Sequence, residues 1–278
     1  MSGVSICVFG SQARGSADAL SDRDVLLIGR PGVELELIAK DWQHRAWNVS
    51  TFSKEAFDRF AEVRSLFVQH VKQESLILRD DKRYLSKTLE NYIPNLSYAA
   101  ERNDALAFAL TLPEGKENYW HNMCIADIYY VIIRNFSILY FADFKEYIFD
   151  FDLLIQKIST EFSFNDVEKL SLLNLRVYKH AYRNRKSGFN CKSDLDNVRK
   201  CLNIINNKIE SRYVSSIDIG LTTSEYYDLR TVELNIVSRE SPVDLDLMEV
   251  SHPRFALWQR IIGAGGYPKP RINARELH

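Results

Sequence analysis

The sequence has no excess of charge of either sign. Its 278 residues include 36 Lys and Arg against 37 Asp and Glu, which gives a formal net charge of −1 at pH 7. A chain of this kind exerts no general electrostatic attraction on nucleic acid, so DNA or RNA binding would need a local basic patch. The composition therefore argues against a dedicated nucleic-acid-binding protein.

Cysteine is scarce, and its spacing is wide. The four cysteines are Cys7, Cys124, Cys191 and Cys201, and no two of them form a C-x-x-C pair. This spacing argues against a zinc knuckle and against a disulfide framework. We therefore expect four buried, reduced thiols.

The sequence also lacks a long apolar run that is free of charge. The longest apolar-rich stretch, residues 124–144, contains Asp127 and Arg134, which would be costly in lipid. No basic segment followed by a long apolar core precedes the first predicted strand, so a secretory signal is not expected. We predict a buried helix over this stretch and a cytoplasmic protein without a membrane partner.

What the sequence does contain is a short apolar run that leads directly into a glycine-serine turn. Residues 4–9 predict a buried strand, and Gly10 ends it where the backbone turns into a helix beginning near Gln12. Such a strand-to-helix turn exposes backbone N–H groups to an anion. Gly10 and Ser11 are therefore expected to bind phosphate oxygens, and Arg14 either contacts phosphate or pins the turn.

Two carboxylates follow this turn. Asp22 and Asp24, preceded by Ser21, lead into a second apolar run at residues 25–28. Side chains at i and i+2 of a strand point to the same face, so the two carboxylates are expected side by side. They are the hard oxygen ligands that Mg²⁺ prefers, and magnesium there would neutralise the phosphates of a nucleoside triphosphate.

The run of residues 10–15 (GSQARG) followed by residues 21–24 (SDRD) resembles the signature of the polymerase-β-like nucleotidyltransferases. Strand, turn, helix, loop and strand follow one another in the order that this motif needs. The resemblance implies Mg²⁺ or Mn²⁺ as the metal and ATP or another nucleoside triphosphate as a substrate. The implied site residues are Asp22 and Asp24 for metal and catalysis, and Gly10, Ser11, Arg14 and Ser21 for the nucleotide.

The same resemblance implies a third carboxylate on a later strand, and here the sequence departs from the pattern. Residues 45–52 predict that strand, and the matching position is Asn48, or Ser50 if the register is shifted by two. The family's third carboxylate helps to hold the metal and accepts a proton, whereas an amide is a poor base. Three interpretations remain open: two carboxylates suffice, another acid such as Asp41 or Glu36 reaches the site, or the chain binds nucleotide without turning it over.

The remaining patterns of the first part of the chain predict helices on both sides of a mixed sheet. Residues 33–42 predict one helix, and a second begins at the N-cap Ser53 and continues to Val71. Residues 76–81 predict a short edge strand. The second helix contains Arg64 and His70, an Arg-x5-His match to HEPN ribonucleases that we interpret as coincidence.

Beyond Pro94, the apolar spacing predicts a helical bundle. The predicted helices span residues 96–111, 118–141, 151–161, 165–184 and 192–210. A basic cluster falls at the end of the fourth helix, and we interpret it as a solvated face rather than an RNA-binding patch. Its members are Arg176, Lys179, Arg183, Arg185 and Lys186.

The end of the chain returns to an alternating pattern. Residues 226–237 predict a strand pair, Asp244 and Asp246 predict a loop, and the glycine-rich residues 263–266 predict a flexible tail. The predicted fold is an α/β nucleotidyltransferase domain, then an α-helical bundle with a small β-containing extension. The predicted bounds are 1–90, 91–212 and 213–278.

The resemblance implies transfer of a nucleoside monophosphate, AMP from ATP, to an acceptor hydroxyl. It extends to toxin–antitoxin and aminoglycoside nucleotidyltransferases, so the implied acceptor is a tyrosine or serine of a partner protein, or a small molecule such as an aminoglycoside. Nucleic acid is less favoured because the charge is balanced, and the oligomeric state stays open. The alternative is a degenerate nucleotide-binding or partner-sequestering protein, which Asn48 favours.

Overall fold

The structure is a computed structural model that describes residues 3–115 and 118–212 together with five later residues. Those five are Tyr227, Arg230, Thr231, Glu233 and Leu234. The described residues divide into two compact units. The first unit contains residues 3–97 and 145–150, so it extends past the predicted boundary at residue 90. The second contains residues 98–144, residues 151–212 and the five later residues.

A four-stranded mixed sheet forms the centre of the first unit. Its strands are β1 (Ser5–Phe9), β2 (Asp24–Ile28), β3 (Asn48–Phe52) and β4 (Ser75–Asp80), in the spatial order β3-β2-β1-β4. Strand β1 pairs antiparallel with β2 and with β4, whereas β2 and β3 are parallel. The predicted mixed sheet is confirmed, and β4 is the edge strand that the sequence predicts.

Helices cover both faces of this sheet. They are α1 (Ser11–Arg14), α2 (Val33–His44), α3 (Lys54–Glu62), α4 (Leu66–Glu74) and α5 (Tyr84–Asn91), with a 3₁₀ turn at Asp81–Arg83. Leu35 of α2 packs with Val25 and Leu27 on one face. On the other face, Phe67 of α4 meets Phe9 edge to face, with 5.8 Å between ring centroids. The sheet is thus the middle layer of a three-layer unit.

The single helix predicted from Ser53 to Val71 is wrong, because the chain forms two helices there. Helix α3 ends at Glu62, and Arg64 adopts a left-handed conformation with φ of 54°. Ser65 then caps α4, because its hydroxyl accepts the N–H of Phe67 at 3.3 Å. The apolar spacing continues through both helices, so periodicity alone does not reveal the break.

The second unit is the predicted bundle. Its helices are α6 (Ala99–Thr111), α7 (Tyr119–Asp143), α8 (Phe151–Phe162), α9 (Asp166–Arg183) and α10 (Lys192–Arg212). All five predicted helices are confirmed, with ends that differ by a few residues. A capping box formed by Asn165 and Glu168 fixes the start of α9.

Helix α7 is the core of the second unit. It is long and apolar enough to cross a membrane, but 94% of its most apolar window is buried inside the protein. Asp127 is fully buried on this helix and pairs with Arg183 at 2.8 Å and with Arg230 at 2.7 Å. Burial alone would raise the pKa of Asp127, but the two guanidinium groups outweigh it and hold the pKa below its usual range. The predicted buried helix is confirmed.

The four cysteines are all buried and free, as the sequence predicts. Burial, with a smaller effect of the Asp80 charge, raises the pKa of Cys7 to about 12. At neutral pH this thiol is therefore protonated and unreactive.

The strand pair predicted over residues 226–237 is wrong for the described residues of that segment, which are helical. The hydroxyl of Thr231 donates to the carbonyl of Tyr227 at 2.9 Å, an i to i−4 contact typical of a helix. Arg230 and Glu233 form a buried ion pair, so two charged residues of this segment lie on its buried face. Asp244, Asp246 and residues 263–266 lie outside the described residues.

Asp127→Ala is expected to destabilise the protein by about 3–5 kcal/mol, because it leaves Arg183 and the buried Arg230 without this counter-charge. Urea unfolding followed by circular dichroism measures the change. The matched control is Asp152→Ala, whose carboxylate is 62% exposed and 3.6 Å from Arg176; it should change the free energy of unfolding by less than about 1 kcal/mol. Equal losses in the two variants would contradict the role given to the buried pair.

Candidate active site

The glycine-serine turn connects β1 to the single-turn helix α1. Gly10 has φ of 72° and ψ of −146°, and Gly15, which closes the helix, also has φ of 72°; non-glycine residues rarely adopt such values. The N–H of Gly10 donates to the carbonyl of Glu74 at 3.1 Å. The N–H of Gly10 is thus engaged by the protein, and its predicted contact with phosphate stays a prediction. The N–H of Ser11 follows it at the start of α1, where the first N–H groups of a helix have no partner within the helix.

Asp24 faces this turn. It is the first residue of β2 and lies in register with Phe9 on one side and with Asn48 on the other. Its Oδ2 is 3.8 Å from the position that a Cβ on Gly10 would occupy. Asp22 lies in the exposed loop before β2 rather than on the strand itself. The two carboxylates are separated by Arg23 in the chain, and the predicted strand geometry applies only to Asp24.

Asn48 is in direct contact with Asp24. Its Nδ2 donates to Oδ1 of Asp24 at 2.8 Å, across the parallel pairing of β2 and β3. Ser50, the alternative position, pairs with Leu26 further along the strand. The structure therefore brings Asn48 to the carboxylate, and the residue at this point of the site is a neutral amide.

The other acids considered for the third position lie elsewhere. Glu36 and Asp41 are exposed residues of α2, which packs on the face of the sheet that contains Val25. Because successive side chains of a strand point to opposite faces, Asp24 lies on the face away from α2. The structure thus gives no support to the interpretation in which one of these acids replaces the third carboxylate.

Helix α4 brings an imidazole to the same face as Asp24. The buried His70 ring packs edge-on against Phe9, with centroids 5.4 Å apart. Its Cε1 and Nε2 each lie 3.8 Å from the position of a Cβ on Gly10. From the sequence alone, His70 is only part of a match to a ribonuclease pattern, which does not indicate this location. The available signal is the i and i+4 spacing of His70 and Glu74, which places the two side chains on one face of a helix.

Glu74 connects His70 to Arg14. Oε2 of Glu74 hydrogen-bonds Nε2 of His70 at 2.9 Å and also accepts Nη1 of Arg14. Nη2 of Arg14 donates to Oδ2 of Asp150 at 3.0 Å, and its Nε donates to the hydroxyl of Ser16 at 3.3 Å. These contacts agree with one of the two roles predicted for Arg14, which is to fix the turn. A phosphate contact by Arg14 stays a prediction.

Ser21 shapes the loop that leads to Asp22. Its hydroxyl donates to Oδ1 of Asp18 at 2.9 Å and accepts the N–H of Asp18 at 3.0 Å. The same carboxylate oxygen accepts the N–H of Leu20 at 2.9 Å. These contacts form a local side-chain-to-backbone network of the kind that fixes turns. A nucleotide contact by Ser21 stays a prediction.

The basic cluster of the second unit takes part in folding contacts. Arg183 pairs with the buried Asp127, and the ammonium group of Lys179 lies 5.1 Å from the centroid of the Tyr130 ring. Lys179 is itself buried, so the predicted solvated face is wrong for this residue. Arg176 forms an ion pair with Asp152. The contacts of the cluster are therefore those of a packed helix surface.

The oxygen atoms at the turn suit a hard cation. Asp22 and Asp24 supply carboxylates, and a rotated Asn48 amide would supply a carbonyl oxygen. Within the described part of the chain, no three side chains of His, Cys, Asp or Glu cluster closely enough to hold a metal. A magnesium ion would therefore complete its coordination shell with an amide, water or substrate oxygen, as this ion commonly does.

Residues 1–92 match a family model described as a nucleotidyltransferase domain. The matched segment contains the turn, Asp22, Asp24 and Asn48, and the match confirms the resemblance to the polymerase-β-like superfamily. The match covers the N-terminal third of the chain. Searches of curated proteins and of solved structures found no significant match.

Gly10→Val and Gly15→Val test the two glycines that flank α1. Gly15 has the left-handed conformation with ψ of 16°, so Gly15→Val should cost about 1–2 kcal/mol of stability. Gly10, with ψ of −146°, lies in a region that is essentially restricted to glycine, so Gly10→Val should cost more. A side chain at Gly10 points toward Asp24 and His70, whereas one at Gly15 meets nothing within 4 Å. We expect Gly10→Val to weaken binding of a non-hydrolysable nucleoside triphosphate by more than about tenfold, a loss of about 1.4 kcal/mol.

Isothermal titration calorimetry measures that affinity, and thermal unfolding measures the stability of both variants. Equal binding losses in the Gly10 and Gly15 variants would show that backbone strain, rather than the space beside Asp24, controls the affinity.

Proposed function

We propose that this protein transfers a nucleoside monophosphate, AMP from ATP, to an acceptor hydroxyl and releases pyrophosphate. One observation carries the proposal: Asp24 lies beside the Gly10 turn, within a segment that matches a nucleotidyltransferase domain. A strand-to-helix turn next to a carboxylate combines an anion site with a cation site, which is what a metal-bound triphosphate requires.

Each part of the site has a separate task in this proposal. The turn at Gly10 and Ser11 would bind the β- and γ-phosphates, and Asp22 and Asp24 would hold Mg²⁺ or Mn²⁺. A metal held there would neutralise phosphate charge and stabilise the transition state. Ser21 shapes the loop before Asp22, and Asn48 holds the carboxylate of Asp24 through the 2.8 Å hydrogen bond.

In the reaction, the acceptor oxygen forms a bond to the α-phosphorus, and the bond from that phosphorus to the bridging oxygen breaks. The hydroxyl proton is lost to solvent, because an amide at Asn48 does not accept it. Phosphoryl transfer depends mostly on positioning and charge stabilisation, so it tolerates the lack of a strong base. This is the physical argument for a site that works with two carboxylates.

The acceptor hydroxyl belongs to a partner protein or to a small molecule. A cationic small molecule such as an aminoglycoside would need an acidic cleft, whereas a tyrosine or serine of a protein would not. The four free thiols accord with the reducing environment of the cytoplasm, where ATP and magnesium are abundant. The acceptor class is best determined by experiment.

The test is incubation of the purified protein with each α-³²P-labelled nucleoside triphosphate, Mg²⁺ or Mn²⁺, and an extract that supplies acceptors. Label should pass from ATP in preference to the other nucleotides. Separation of protein, RNA and small products then identifies the acceptor class. If no label leaves any triphosphate with either metal, the proposed transfer is wrong.

Asp22→Asn and Asp24→Asn should each reduce transfer by at least about 10²-fold, because charge stabilisation of this kind contributes several kcal/mol to the rate. The control is Asp41→Asn, an exposed carboxylate on α2, which should leave the rate unchanged. Circular dichroism checks that all three variants remain folded. Full activity in the double Asp22→Asn, Asp24→Asn variant would show that the metal site lies elsewhere.

A second candidate function is nucleotide binding without turnover. The observation that favours it is the amide of Asn48, which stands in hydrogen-bond contact with Asp24. A protein of this class would bind a metal-nucleoside triphosphate and either sense it or sequester a partner. It would give a calorimetric binding signal and no labelled product.

Asn48→Asp distinguishes the two functions. In a site that has lost its proton acceptor, a carboxylate adds a base and should raise transfer by about 10²–10⁴-fold. In the two-carboxylate enzyme that we propose, the rate should stay unchanged or fall, because a second charge replaces the hydrogen bond to Asp24 and raises the pKa of one carboxyl group. Steady-state rates of the wild type and the variant decide between these outcomes.

A further inference from the structure

We infer that Glu74 and Asp150 are positioning residues that hold Arg14, and through it the Gly10–Arg14 turn, in the shape that receives the phosphates of the nucleotide. We call these two acids the carboxylate clamp. The inference rests on the proposed function, because it assigns the turn to a nucleotide. It goes beyond that function because Asp150 lies far outside the matched residues 1–92.

Glu74 holds the turn at both ends. Its backbone carbonyl accepts the N–H of Gly10 at 3.1 Å, and its side chain accepts Nη1 of Arg14. Gly10 precedes the helix α1, and Arg14 is its last residue. The Glu74 side chain is only 8% exposed, so its charge depends on protein partners rather than on water. Loss of the Arg14 contact would therefore release the turn at one end and leave a buried charge.

These contacts engage all three nitrogen atoms of the Arg14 guanidinium group. Nη1 donates to Glu74, Nη2 donates to Asp150 at 3.0 Å, and Nε donates to Ser16 at 3.3 Å. Two carboxylates thus neutralise one guanidinium group, and its forked geometry fixes the direction of the side chain. A group held in this way fixes the shape of the turn backbone.

Residues 145–150 bring Asp150 to this position. Within this segment, the Phe149 ring stacks on the His70 ring, with centroids 4.2 Å apart and 21° between the planes. The side chain of Gln73 donates to the carbonyl of Tyr147 at 2.9 Å. The segment is therefore fixed to α4 at two further points, beside the contact of Asp150 with Arg14. Although it falls between α7 and α8 in the chain, it belongs to the first unit.

The test uses the full chain with Glu74→Gln and Asp150→Asn, which keep the shape of each side chain and remove its charge. Affinity for a magnesium complex of a non-hydrolysable ATP analogue should fall about 10- to 100-fold in Glu74→Gln and about tenfold in Asp150→Asn. In the transfer reaction, KM for ATP should rise more than kcat falls. Asp150 is one third exposed, so Asp150→Asn keeps the test valid even where Glu74→Gln fails to fold.

Asp152→Asn is the matched control. This carboxylate lies two residues after Asp150, is mostly exposed and pairs with Arg176, so its loss should leave nucleotide affinity unchanged. A double-mutant cycle then separates positioning from general damage. If Asp150 acts through Arg14, Asp150→Asn should weaken binding no further in an Arg14→Gln background.

Two results would overturn the inference alone: wild-type affinity in Glu74→Gln and Asp150→Asn, or fully additive losses in the Arg14 and Asp150 cycle. A wild-type protein that binds no nucleoside triphosphate would instead overturn the proposed function, and the inference with it. Thermal unfolding of every variant, compared with Asp152→Asn, shows whether a lost affinity accompanies lost structure.

Discussion

The pairing of β1 with two antiparallel neighbours is the constraint on which the site depends. Antiparallel pairing places the first residues of β2 and β4 beside the last residues of β1, and parallel pairing places the start of β3 beside the start of β2. The strands therefore bring four residues that are far apart in sequence to one end of the sheet: Gly10, Asp24, Asn48 and Glu74. A different strand order would separate the phosphate turn from the carboxylates.

The sequence predicts the parts of this site that depend on local pattern. The strand before Gly10, the turn, and the five helices of the second unit follow from apolar spacing and from glycine or capping residues. The carboxylate clamp does not follow, because Arg14 meets residues 60 and 136 positions away. The strand pair predicted over residues 226–237 fails for a related reason: Arg230 and Glu233 form a buried ion pair, although charged residues usually indicate a surface.

The neutral amide of Asn48 gives the site one negative charge fewer than a carboxylate at this position would. A third acid there would repel Asp24 in the absence of metal, whereas the amide donates a hydrogen bond to it at 2.8 Å. In the proposed site, a metal would gain less from binding than it would at three carboxylates, because one negative charge is missing. The amide would thus lower the metal affinity and supply no proton acceptor, which both candidate functions tolerate.

The carboxylate clamp joins the matched segment to a residue outside it, because Asp150 contacts Arg14. With Glu74 alone, the guanidinium group would keep more of its hydrogen-bond donors available to a phosphate. Asp150 restricts that freedom, because hydrogen bonds to charged groups contribute about 1.5–3 kcal/mol each. In the proposed function, more of the triphosphate charge would then fall to the backbone N–H groups of the turn and to the metal. We therefore propose that a residue outside the matched segment helps to determine which groups of the turn face the substrate.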